Sequence, residues 1–65
     1  MINDELAKAL ATATYYYGRY DDNTPDVGFP LSLETKVNYI LIVAEVVNTT
    51  ENIQRVVDVY KQRWG

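Results

Sequence analysis

The chain contains neither cysteine nor histidine. The first absence excludes disulfides, and the two together exclude the usual structural zinc sites. General acid–base catalysis most often uses histidine, and nucleophilic catalysis needs an activated Ser, Cys or Lys held by oriented partners in a cleft. The sequence has no Gly-rich phosphate loop and no metal-ligand spacing. Glu34 and Glu45, which fall on one strip of a helix, would lie roughly 16 Å apart at the standard rise. Two carboxylates cooperating at a glycosidic bond stand roughly 5 to 10 Å apart. The reading is therefore of a non-enzymatic protein with no cofactor and no metal.

Cations are also scarce. Six Lys and Arg against nine Asp and Glu give a net charge of −3 and a pI near 4.6, so no general attraction to phosphate backbones is expected and no nucleic-acid partner. Arg55, Lys61 and Arg63 are too few and too mixed with Glu51 and Asp58 to form a basic recognition helix. The longest apolar stretch, Val37 to Val47, falls well short of the ~20 residues a bilayer needs and includes Asn38 and Glu45. The opening MINDELAKAL lacks a cationic region followed by a long apolar one. No membrane association and a cytoplasmic location are the expectations.

What is present is apolar surface. Of 65 residues, 48% are hydrophobic and 23% charged, a composition typical of one ordinary globular domain. At this size roughly 60% of the unfolded surface is buried on folding, and conformational entropy of about 1.5 kcal/mol per residue nearly cancels the gain. With disulfide and zinc unavailable, oligomerisation is the remaining source of stability.

The periodicity predicts three helices. Ile2, Leu6, Leu10, Ala13, Tyr17 and Tyr20 recur at helical steps and define an apolar arc over about 4–19. Asn3 is a suitable N-cap, and Asp4 can pair with Lys8. A second seam of small residues, Ala7, Ala11, Thr14 and Gly18, admits either close helix approach or plain helix propensity, the latter favoured. The segment 21–32, DDNTPDVGFPLS, reads as one long ordered connection pinned by Val27, Phe29 and Leu31, with Ser32 capping the next helix. Asp21, Asp22 and Asp26 do not follow the ligand order of a calcium loop and are read as turn formers. Asn48-Thr49-Thr50 matches a glycosylation pattern, which without an export signal is taken as chance.

The second helix, about 33–48, is rich in β-branched residues, yet Glu34, Asn38 and Glu45 converge within roughly 40° of its wheel and the rest beyond the first turn is apolar. After a short turn at 48–50, Ile53, Val57, Tyr60 and Trp64 define a third helix at about 51–63, capped by Thr49 or Thr50, with Glu51 able to reach Arg55. The expected fold is an all-α three-helix bundle, a helical hairpin plus an N-terminal helix. The second helix carries more apolar surface than two neighbours can cover. The surface left over is either the Tyr39, Ile42, Val46 side or the Val37, Leu41, Ala44 side, and unless Val27, Phe29 and Leu31 fold over it, a homodimer or higher even oligomer is expected, with Tyr39, Ile42, Val43 and Val46 at the interface.

Three consecutive tyrosines, Tyr15, Tyr16 and Tyr17, cannot share a helix face, and Tyr15 is expected on the polar side near Lys8 and Arg19. Tyr15, Tyr16, Tyr20 and Trp64, with Arg19 and Arg63 at the rim, are the expected recognition residues, because aromatics and arginine dominate interface energetics. The functional expectation is a small interaction module that binds and regulates or inhibits another protein. The alternative is sequestration of a nucleotide or aromatic anion between protomers, with the tyrosines as a stacking floor and Arg19 or Lys36 meeting the anion.

Overall fold

Each helix among the described residues starts at a side-chain oxygen. In the computed structural model, which describes residues 2–17 and 32–65, Asn3 Oδ1 accepts from Leu6 N at 2.8 Å, Ser32 Oγ from Thr35 N at 3.2 Å and Thr49 Oγ1 from Asn52 N at 3.2 Å. In all three the cap reaches the amide three residues on, which satisfies one of the four donors a helix start leaves open. The helices are α1 (Asp4–Tyr16), α2 (Leu33–Val43) and α3 (Thr50–Trp64). No strand occurs among the described residues, and no helix among them is long and apolar enough to cross a membrane.

Residues 18–31, with the expected continuation of α1 through Arg19, the loop anchors and the acidic cluster, lie outside the described residues. Within the described part α1 stops at Tyr16, and Tyr17 turns extended while its N–H returns to Thr14 O at 3.2 Å.

α2 is shorter than the sequence pattern suggests, closing at Val43 instead of Asn48. The cause is a Schellman turn, in which Glu45 N donates to Ile42 O at 3.1 Å and Val46 N to Leu41 O at 2.9 Å. Val46 then packs back onto the core that contains Leu41, the apolar contact that accompanies this motif. The left-handed position is filled by Glu45, at φ 59°, where glycine would be at ease and a side chain costs roughly 1–2 kcal/mol. Thr49 then starts α3, which runs to Trp64, one residue beyond the expected end at each terminus.

α1 and α3 run parallel, in step and in direct contact, and α2 packs against both in the opposite sense. Asp4 forms an ion pair with Arg55, and eight residues further along both helices Arg63 Nη1 reaches Thr12 Oγ1 at 3.4 Å. Asp4 thus pairs across helices with Arg55, instead of with Lys8 on its own helix. Both partners of the pair are partly exposed, so it fixes register more than it stabilises, contributing at most about 1 kcal/mol.

The core is Leu10, Ala11, Val37, Leu41, Val56 and Val57, with Ile53, Tyr60 and Trp64 packed against it. On α1 the buried residues are Ala7, Leu10, Ala11 and Thr14, while Leu6 is 37% exposed and Ala13 lies in solvent. The small-residue seam faces the interior, and the arc of larger residues is rotated roughly 90° away from it at 100° per residue. A helix wedged between two others buries the side that lets backbones approach, and Ala permits this where Leu does not. Thr14 is tolerated there because its hydroxyl donates to Leu10 O at 2.8 Å.

Candidate functional site

Two surfaces hold the residues that the sequence singles out. The first is the back of α2. Val37 and Leu41 are fully buried and fix which side faces inward. On a helical wheel Tyr39, Ile42 and Val43 fall on the opposite side. They are 39%, 54% and 62% exposed, and Val47 in the turn is 68% exposed. The Tyr39 ring meets Tyr17 at 5.5 Å between centroids. Val46, expected in the same interface, is instead packed, partly buried, against this chain's own core by the Schellman turn. Of the four expected interface residues, three therefore form one apolar face and the fourth supports the turn beside it.

The second surface is the end of the bundle where α1 and α3 both terminate. Tyr15 stacks on Trp64 at 4.3 Å and 17° between ring planes, Tyr60 meets Trp64 at 5.3 Å, and Tyr16 lies edge-on to Tyr15 at 5.1 Å. The rotation of α1 brings Tyr15 here, off the polar side where an inward-facing apolar arc would leave it. With Ala7, Ala11 and Thr14 facing inward, Tyr15 falls on the flank toward α3. Tyr16 remains exposed. The Arg63 guanidinium lies 4.8 Å from the Trp64 ring centre and also meets Thr12, while the residue stays exposed. Arg19 and Tyr20 fall outside the described residues.

One ring face of Tyr15 already lies against the indole, which leaves its other face and the exposed Tyr16 for any stacking base. Lys36, the other expected anion contact, is partly buried on α2. Among the described residues no group of three or more Asp and Glu side chains is placed to hold a metal ion.

Sequence reasoning missed Asn52. Its side chain is 6% exposed, its Nδ2 donates to Val47 O at 2.7 Å and its Oδ1 accepts from Ile2 N at 3.3 Å. It ties the segment before α1 to the turn between α2 and α3, filling both halves of its amide. The only sequence signal is its position three residues after the Thr49 cap, on a face otherwise lined by Val56 and Ile53. Asn48 Nδ2 adds an exposed bond to Asn38 Oδ1 at 2.7 Å across the same turn.

Comparisons with protein-family models, with curated proteins and with solved structures give no match to this chain.

Proposed function

We propose that this chain is a non-enzymatic interaction module that self-associates through the back of α2 and, as an oligomer, binds and regulates or inhibits another protein. The observation that carries the reading is the face of Tyr39, Ile42 and Val43, continued by Val47, which α1 and α3 leave in water. In a domain this small, with a core built of a few aliphatic side chains, apolar surface of that extent is better explained by an interface than by chance. The partner-binding surface in this reading is the aromatic end, Tyr15, Tyr16 and Trp64 with Arg63, where rigid rings offer area at low entropic cost.

Self-association is tested by sedimentation velocity at tens of micromolar and below, on the native chain and on Ile42→Asp. Ile42 projects from the back of α2, so the substitution should abolish the oligomer and leave the helical circular dichroism of the monomer in place. A native chain that sediments as a monomer throughout this range removes the basis of the proposal. The partner surface is tested by affinity capture with the native chain and with Tyr16→Ala, identical capture by both ruling out this surface.

A further inference from the structure

The uncovered face of α2 and the buried face of α3 belong to one stripe. Tyr39, Val43, Val46, Thr50, Ile53, Val57, Tyr60 and Trp64 follow one another at alternating steps of four and three. That is the heptad spacing of a seam between two helices, and Thr50 is its one polar member. The stripe passes through the turn without a phase change. In the hairpin it is split: Ile53, Val57, Tyr60 and Trp64 pack on the core, while Tyr39 and Val43 are exposed on the far side of α2.

The turn that splits it carries neither Gly nor Pro from Ala44 to Thr49, and Glu45 is held in the left-handed region. Its residues Ala44, Glu45, Val46 and Val47 are compatible with helix. A turn meant only as a turn would place Gly at Glu45 and polar residues at Val43 and Val47. Straightened, α2 and α3 make one helix of about 48 Å at the standard rise, with the whole stripe on one side.

We propose that the Ala44–Thr49 turn is a hinge, and that a second copy of this chain exchanges α3 through it. In the exchanged dimer α3 of each protomer packs on α1 and α2 of the other, so the bundle contacts are kept and made between chains. The left-handed strain at Glu45 is released in both copies. The two straightened hinges meet at the two-fold axis, where Val43 and Val47 leave water. The inference rests on the self-association proposed above and specifies its geometry.

The absence of native cysteine permits a direct test. Thr12→Cys and Arg63→Cys, introduced together, place thiols at a contact between α1 and α3 that lies within one chain in the closed bundle and between two chains after exchange. The double variant is refolded from denaturant over a range of concentrations, and its dimer fraction is isolated, diluted and treated with a short bis-maleimide. Denaturing electrophoresis should then show a covalent dimer. A dimer whose crosslinks stay within each chain overturns the exchange and leaves self-association standing, whereas a chain monomeric at every concentration overturns both. Glu45→Gly, which relieves the closed turn and weakens the continuous helix, should reduce the dimerisation constant roughly tenfold or more, since two hinges straighten per dimer. An unchanged constant overturns the role of the hinge.

Discussion

Single residues set the stability of this domain in places where hydrophobicity is not the reason. Asn52 serves an amide of the N-terminal segment and a carbonyl of the turn from a nearly buried position. Asn52→Asp removes the donor to Val47 O and sets a carboxylate beside that carbonyl, so the domain should lose about 2–3 kcal/mol. Urea denaturation measures this, and a loss below about 0.5 kcal/mol, the scatter of surface changes, would show that the tie is not needed. Glu45 is the converse case. With φ at 59°, Glu45→Gly should stabilise the folded monomer by about 1 kcal/mol, which for a domain of this size is a rise of about 4–8 °C in melting temperature. The measurement belongs in dilute solution, where association does not contribute.

At the scale of the element, the starts of the helices could be read in advance and the ends could not. Asn3, Ser32 and Thr49 have side chains made for capping, and the oxygen of each accepts the backbone N–H expected of it. The end of α2 bears no such mark. A Schellman turn is ordinarily signalled by glycine, and here its left-handed residue is a glutamate inside an apolar run that favours continued helix. The inward side of α1 was equally hidden. Hydropathy points to Leu6, Tyr17 and their neighbours, but a helix seated between two others presents Ala7, Ala11 and Thr14. That rotation also decides which of three adjacent tyrosines is structural. Because Tyr15 stacks on Trp64, Tyr15→Ala should destabilise the fold by about 2–4 kcal/mol through lost ring burial and stacking. Thermal melts followed at 222 nm should show this, and a melt unchanged from the native chain would make the stack incidental.

For the whole molecule, the all-α bundle and the excess apolar surface of its middle helix were both legible, since periodicity and a wheel suffice for them. Which side of α2 would be left over was open between the Val37–Leu41 side and the Tyr39–Ile42 side, because a single helix does not reveal how its neighbours divide it. The structure places Val37 and Leu41 inside. The division separates two substitutions that look alike in sequence. Ile42→Asp acts on association, as set out above. Val46→Asp acts on the monomer, because Val46 closes the Schellman turn onto Leu41, and should cost about 2–3 kcal/mol by burying a charge against aliphatic carbon. Chemical denaturation at low concentration separates the two: loss of folding in both variants would mean that the back of α2 is part of a single-chain core.

Asn52 also joins two events that are far apart along the chain. Ile2 N and Val47 O share its side-chain amide, and straightening the turn would move that carbonyl into a helical ladder and let the asparagine swing away. If the exchange proposed above occurs, the asparagine keeps Ile2 N but loses its hold on the turn, and deuterium uptake at the Ile2 amide should be faster in the isolated dimer than in the monomer.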